Sequence, residues 1–469
     1  MKSVLIFLLC AISLGVLPLS AQTTTAPGDS AFPTDAQIRE LLADRIDKNH
    51  QSVGVVVGLV DANGRHFVSY GKFDNAAESR PVGPDTIFEI GSVTKVFTSL
   101  LLTDMVRRGE VALTDPVAKY LPPTVKVPER NGRQITLEDL ATHTSGLPRL
   151  PTNFKPKDEN NPYADYSVDQ LYEFLSGYQL TRDIGSKYEY SNLGVGLLGH
   201  ALARRAGMSY EELLRTRILE PLGMKSTGIT LTADEKARFA IGHDAEMKPY
   251  PYWDLPTLAG AGAIRSDAND MLTFIAANLG YVKSPLAPDM AAQLAVRRPT
   301  GVPGLEIALG WHILNRDGHE IIWHNGGTGG FRSYIAFEPK SGRGVVLLSN
   351  ASTAVGVDDI GQHLLNPNAA LWEPPKERKQ VSIDPKIFDN YIGQYQLAPK
   401  VIINVTRDGS QFFVQLTGQP KFEIYPESER DYFLKTVDAQ ITFQTDSQGR
   451  ATALVLHQGG ADQTAKRIQ

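Results

Sequence analysis

Apolar positions along this chain switch between helical and strand spacing. Over residues 34–49 they fall at Ile38, Leu41, Leu42 and Ile46, one face of a helix. Val53-Gly-Val-Val-Val-Gly-Leu-Val60 is a β-branched run ending at the hairpin signal Asp61-Ala-Asn-Gly64, and residues 67–70 supply the return strand. Behind Ser92, the run Val96, Phe97, Leu100, Leu101 and Leu102 predicts a buried helix, stopped by Gly109 and Leu113-Thr-Asp-Pro116. Residues 135–148 predict a short helix running into a turn. Residues 151–165 are polar with prolines and predict a long loop on the rim of a site. Ser167-Val-Asp-Gln170 is a capping box that opens another helix. Helical spacing returns over 193–206, over 210–218 up to Pro221-Leu-Gly-Met224, and over 272–279. Residues 321–323, 333–338 and 344–349 then read as successive antiparallel strands.

Strands at both ends of this region, with helices between, predict an α+β domain over residues 34–365: one antiparallel sheet completed late in the chain, plus a helical lobe. Prolines gather over 366–385, including Glu373-Pro-Pro375, and predict a linker. Beyond it only short strands follow: 401–406, the Asp408-Gly409 turn, 412–416, 422–425, 441–443 and 453–457. Residues 386–469 are therefore expected to form a small all-β domain, a barrel or a sandwich. No internal repeat is visible.

Charge narrows the partners. The 47 basic and 52 acidic residues leave a net charge of −5 with no basic block, which argues against nucleic acid or an anionic membrane surface. The first residues stand apart. Lys2, an apolar run from Val4 and the small-residue end Pro18-Leu-Ser-Ala21 predict a signal peptide over 1–21. The run is shorter than the ~20 residues that span a bilayer. Residues 22–33, rich in Thr, Pro and Ala, are expected to be a disordered leader, and the chain is expected to be exported, to a bacterial periplasm, with no membrane span. Cys10 is the only cysteine, so the mature chain has no thiol chemistry, disulfide or cysteine metal site. The ten histidines are scattered with no His-Glu-x-x-His, so neither a metal nor a cofactor is expected.

Candidate chemistry lies at three places. Ser92 and Lys95 stand at i and i+3, side by side on a helix face. Burial lowers a lysine pKa, and a neutral amine takes the proton of a serine hydroxyl. The plain alternative is a capping serine with a surface lysine. Tyr190-Ser191-Asn192 offers a tyrosine whose pKa cationic neighbours would lower from about 10, and an amide suited to gripping a substrate amide. The alternative is a core tyrosine with a capping asparagine. In Trp323-His-Asn-Gly-Gly-Thr-Gly-Gly-Phe331, glycines beside a strand mark close approach of a ligand or backbone. There the Gly327 amide, with that of Ser92, would form an oxyanion hole, and His324 would project into the same cleft. The alternative is a glycine-rich turn with a surface histidine. Gly194-Val-Gly-Leu-Leu-Gly199 matches a dinucleotide fingerprint, but no buried strand precedes it, and its glycines are expected to let a helix pack closely. No Gly-x-Ser-x-Gly elbow occurs.

Together and in this order, these motifs resemble the serine β-lactamase and penicillin-binding-protein superfamily, in its class C-like branch of D-aminopeptidases, DD-carboxypeptidases, esterases and β-lactamases. The resemblance spans residues 37–349 and takes in Thr142-His-Thr-Ser-Gly-Leu-Pro148, Glu220-Pro-Leu-Gly-Met224 and Gly260-Ala-Gly-Ala-Ile-Arg-Ser266. It implies a β-lactamase/transpeptidase-like fold, with the C-terminal domain similar to the β-barrel appendage of some members. It also implies Ser92 as nucleophile, Lys95 and Tyr190 as the proton-transfer pair, and Asn192, His324, Asn325 and Gly326 as substrate-binding residues.

One departure matters. Class C β-lactamases carry Lys-Thr-Gly where this chain has His324-Asn325-Gly326, and a histidine is mostly neutral at pH 7. This argues against efficient β-lactam hydrolysis and resembles the His-x-Gly members. The resulting expectation is an exported serine hydrolase that cleaves a small D-amino-acid peptide or ester through a Ser92 acyl-enzyme. A class C-like β-lactamase and a penicillin-binding sensor without turnover stand as rivals.

Overall fold

Eight strands make one antiparallel sheet in the computed structural model, ordered Gly64–Gly71, Gly54–Asp61, Arg343–Ser349, Arg332–Glu338, His319–Gly327, His312–Arg316, Leu305–Ile307 and Arg298–Pro299. The structure describes residues 31–374, 378–399, 401–435, 437–458 and 461–468. The expected signal peptide, nearly all of the leader and part of the proline-rich linker lie outside the described residues. The late completion of the sheet expected from the sequence is present: Gly54–Asp61 pairs with its hairpin partner on one side and with Arg343–Ser349 on the other.

Alternation along the strands assigns their two faces. Val56, Ile322, Ile335, Val346 and Leu348 face the helical lobe. Val55, Val57, Tyr334 and Leu347 face the opposite way, against Ile38 and Leu42 of helix Asp35–Ala43 and Ile360 and Leu364 of helix Asp358–Leu365. Strand His312–Arg316 and helices Ala287–Ala295 and Asp358–Leu365 were not legible in the sequence.

Helix Thr94–Arg107 runs through the middle of the lobe, with every residue from Thr94 to Met105 buried. A helix apolar on nearly all sides belongs inside a core. Two of its polar members find partners nearby: Thr98 Oγ1 donates to Gly260 O at 2.7 Å, and Asp104 at its end holds Arg107, Arg108 and Arg217. Helix Asn192–Ala206 is capped by Ser191, whose Oγ accepts from Gly194 N, and ends at Gly207. The expectation for its glycines holds. A Cβ on Gly196 would lie 2.7 Å from Leu258, and one on Gly199 would lie 2.9 Å from the Gly260 Cα.

The chain divides into two compact units, the second beginning at Glu373. That second unit is a closed barrel of eight antiparallel strands, from Gly393–Ala398 to Ala461–Arg467, so the barrel alternative is the one realised. Closure leaves no free sheet edge. Within it Phe388 stacks on Phe412 and Tyr391 on Phe443, each with ring centroids 4.4 Å apart.

Candidate active site

The site begins where two backbones touch. Strand Ile87–Glu89 leads through Ile90 and Gly91 into the single turn Gly91–Val93 that carries Ser92. Gly91 has φ +49°, a conformation that disfavours other residues, and a Cβ there would lie 2.7 Å from Gly327 N. From the other side, a Cβ on Gly326 would lie 2.0 Å from Ile90 O. Ser333, opposite Gly326 in the neighbouring strand, donates its hydroxyl to the same Ile90 carbonyl at 2.8 Å. The amide of Gly327 is thereby held against the serine-bearing loop.

Lys95 lies one turn beyond Ser92 and has no solvent exposure. Its Nζ is 2.9 Å from Ser92 Oγ and 2.7 Å from Ala261 O, and no carboxylate is among its partners. Burial, and then the charge of Arg149, push its pKa well below the usual 10.5. A neutral amine at this position donates to the Ala261 carbonyl and turns its lone pair to the serine hydroxyl.

Tyr190 stands beside Ser92, close enough for the serine hydroxyl to act on its phenol. Lys95 Nζ lies 4.9 Å and the Arg149 guanidinium 5.2 Å from its ring centroid, and His143 packs on it at 4.5 Å with the planes 30° apart. One expectation is corrected here. Cationic neighbours were expected to lower the tyrosine pKa, yet it is raised, because burial outweighs the lowering influence of the Ser92 hydroxyl and the charge of Arg149. Tyr190 rests as a neutral phenol, a proton donor, and Lys95 is the group whose proton affinity has been lowered.

Asn192 opens its helix with Nδ2 donating to Tyr163 Oη at 3.1 Å, while its buried Oδ1 has no partner. Tyr163 and Phe154, from the long loop, form an aromatic wall with Trp253, the rings 5.0 to 5.5 Å apart. The loop expected at the rim of a site thus packs on Asn192.

The third motif divides between the two sheet faces. His324 is on the Ser92 side but fully buried, 6.4 Å from the Tyr190 ring and 5.2 Å from His312. Its Nδ1 donates to Asn325 O at 2.6 Å. Burial and the neighbouring His312 and Lys95 drive its pKa well below 6.5, so it is a neutral wall under Tyr190 rather than a residue projecting into the cleft. Asn325 points to the opposite face, as strand alternation requires, and donates Nδ2 to Asp358, so its side chain is not part of a substrate surface on the Ser92 side. Gly326 serves the backbone approach at Ile90 rather than a substrate contact of its own.

Several neighbours escaped sequence reasoning. His143 has φ +57° and accepts the Ser191 N–H on Nδ1 at 3.1 Å, which fixes the backbone beside Tyr190. It lies in a stretch already singled out, but no spacing marks its contact. Glu89 lies just before the Ser92 loop, buried, accepting Trp253 N–H at 2.8 Å with Arg265 at 3.7 Å. Burial pushes its carboxyl up to about 7.

A sheet backed by a helical lobe, with a serine in the turn that leads into the central helix, a lysine in that helix's first turn and a tyrosine beside both, is the architecture of the serine β-lactamases and penicillin-binding proteins. The chain belongs to this class: residues 35–365 match the family model described as "Beta-lactamase". Residues 377–467 match a second model, "Domain of unknown function (DUF3471)". Among particular relatives, the chain is 34% identical over 368 residues to the D-alanyl-D-alanine-carboxypeptidase/endopeptidase AmpH of Escherichia coli (strain K12), covering 75% of this chain and 92% of that one. It is 25% identical over 454 residues to penicillin-binding protein 4* of Bacillus subtilis (strain 168), covering 92% and 98%. The crystal structure of a beta-lactamase/D-alanine carboxypeptidase from Yersinia pestis, complexed with citrate, aligns with a TM-score of 0.63 and 29% identity over 71% of this chain and 97% of that one. The protein is thus a serine hydrolase of this family. Among the described residues, no helix is long and apolar enough to cross a membrane.

Proposed function

We propose that this is an exported hydrolase that cleaves small peptides containing D-amino acids, or small esters, through an acyl-enzyme on Ser92. The observation that carries this reading is the state of Lys95: fully buried, without a carboxylate partner, its Nζ 2.9 Å from Ser92 Oγ. Lys95 takes the hydroxyl proton as Ser92 Oγ attacks the substrate carbonyl. The amides of Ser92 and Gly327 receive the oxyanion. Tyr190, the neutral phenol beside Ser92, protonates the leaving nitrogen or oxygen as the bond breaks, and is reprotonated by Lys95. Water then attacks the ester, its proton passing to the same pair, and Ser92 leaves with its hydroxyl restored. Asn192 Oδ1, buried without a partner, accepts the substrate amide N–H. The similarity to AmpH, named a D-alanyl-D-alanine carboxypeptidase, and the neutral His324 favour peptides over β-lactams.

The test is the intact mass of the mature protein over time with benzylpenicillin, run beside hydrolysis of an acyl-D-alanyl-D-alanine peptide, with Ser92→Ala as the blank. Peptide turnover that depends on Ser92, with a slowly cleared penicilloyl adduct, is the expected result. Rapid release of penicilloate would establish a β-lactamase instead. A stable adduct with no peptide or ester turnover would establish a sensor.

A further inference from the structure

A substrate with a carboxylate needs a cation at the site, and the third motif does not provide one. His324 is buried and neutral. Lys95 is desolvated and committed to Ser92 and Ala261. Arg332, beside Gly327, donates Nε to Thr353 O at 3.0 Å and turns Nη1 to the carbonyls of Thr328 and Phe331, with Asp358 contributing the opposite charge. Arg149 differs from all three. It is exposed, and among the described residues no carboxylate pairs with its guanidinium. Its charge acts on Lys95, His143, Tyr163, Tyr188 and Tyr190 at once, so it lies within electrostatic reach of the whole site.

Its position is also fixed. The Arg149 carbonyl accepts Leu193 N–H at 3.1 Å, which ties the residue to the start of the helix that presents Asn192. The guanidinium lies 5.2 Å from the centre of the Tyr190 ring. A planar guanidinium held against an aromatic face keeps its edge N–H groups free for a bidentate carboxylate.

We propose that Arg149 is a specificity-determining residue that binds a carboxylate on the leaving-group side of the substrate, the side that Tyr190 serves. The proposal rests on the hydrolase reading above and sharpens it: the preferred substrate is a peptide whose departing C-terminal residue carries a free carboxylate. The site moves the substrate-binding cation from the third strand to the loop that follows the Thr142–Pro148 stretch.

The experiment compares kcat/KM for an acyl-D-alanyl-D-alanine peptide with a free C-terminus and for the same peptide as its C-terminal amide, in the wild type, Arg149→Lys and Arg149→Ala, with Ser92→Ala as the blank. A charge-assisted hydrogen bond corresponds to a ten- to hundredfold effect. The expected result is a wild-type preference for the free acid of at least tenfold, carried mainly by KM. That acid-to-amide ratio falls about tenfold or more in Arg149→Ala and partway in Arg149→Lys, which keeps the charge and loses the fork. A ratio that stays within twofold of the wild type in both variants overturns the proposal, whatever happens to the absolute rates, and makes Arg149 a positioning residue for Tyr190. A wild type that hydrolyses both peptides equally, with dependence on Ser92, overturns the proposal and leaves the hydrolase reading standing. If neither peptide nor a small ester is cleaved in a Ser92-dependent way, both fall.

Discussion

Gly326→Ala offers a direct test of the idea that two touching backbones set the geometry of the site. The new methyl group would sit 2.0 Å from Ile90 O and 2.4 Å from Ser333 Oγ, where real contacts start at 3.0 Å. The serine loop and the third strand must therefore part by about 1 Å, and the carbonyl on the far side is backbone with no rotamer to yield. A misplacement of about 1 Å between catalytic groups costs ~100-fold in rate, equivalent to ~2.7 kcal/mol of transition-state stabilisation. The overpacking should cost about 1–3 kcal/mol of stability, which leaves the fold intact. The assay is kcat/KM on a chromogenic ester, with near-ultraviolet circular dichroism to confirm native packing. A folded Gly326→Ala protein within threefold of wild-type activity would refute the reasoning. Adding Ser333→Gly relieves the hydroxyl contact but not the carbonyl, so the double variant should stay impaired; recovery would show that the neighbouring strand, not the nucleophile loop, carries the effect.

Three further outcomes are expected. Lys95→Arg should lose about 10²–10⁴-fold in acylation rate, followed by intact mass, because a guanidinium stays charged and gives no neutral base; recovery on raising the pH to 10 would contradict this. Tyr163→Phe removes the hydroxyl that accepts Asn192 Nδ2 at 3.1 Å, and should lower kcat/KM about 2–10-fold as Asn192 loses its orientation; an unchanged or improved value in steady-state kinetics would show that the contact is idle. Glu89 titrates near 7 in the folded chain against an ordinary 4.5, so the folded state holds its proton longer than the unfolded one and stability falls as pH rises through that window. Urea titrations at pH 5 and pH 8 should therefore show wild-type stability declining by about 2–3 kcal/mol more than that of Glu89→Gln, and equal declines would rule the effect out.

Much of this was legible in the chain because its signals are local. Helix Thr94–Arg107 carries a dense apolar cluster at Val96, Phe97 and Leu100 to Leu102, and the hairpin at Asp61 announces itself by turn chemistry, so both could be read from short windows. The Ser92 and Lys95 pairing needs only helix geometry and survives intact. What failed to show depends on partners far away in sequence. Strand His312–Arg316 has its apolar residues at Ile313 and Leu314 and reads as a polar segment until its neighbours are in place. The raised pKa of Tyr190 comes from being enclosed by His143 and His324, which no charge count around residue 190 reveals. The opposed directions of His324 and Asn325 follow from a two-residue period that was available in the sequence. Reading them as one motif hid it.

The position of Gly54–Asp61 within the sheet has a consequence for how the molecule comes into being. This strand, near the start of the described chain, is hydrogen-bonded along its length to Arg343–Ser349, with Val55 opposite Ser349. Pairings this distant in sequence make for slow folding, since a long loop must close before any contact offsets its entropy. Strand His319–Gly327, which brings Gly327 to Ser92, is joined to the early strand only through Arg332–Glu338 and that same late strand. During synthesis the serine, lysine and tyrosine all emerge before the sheet that holds them together can exist. A nascent chain is therefore expected to stay silent until residue 349 is available, and hydrolysis assays of chains truncated short of that point should show no partial activity.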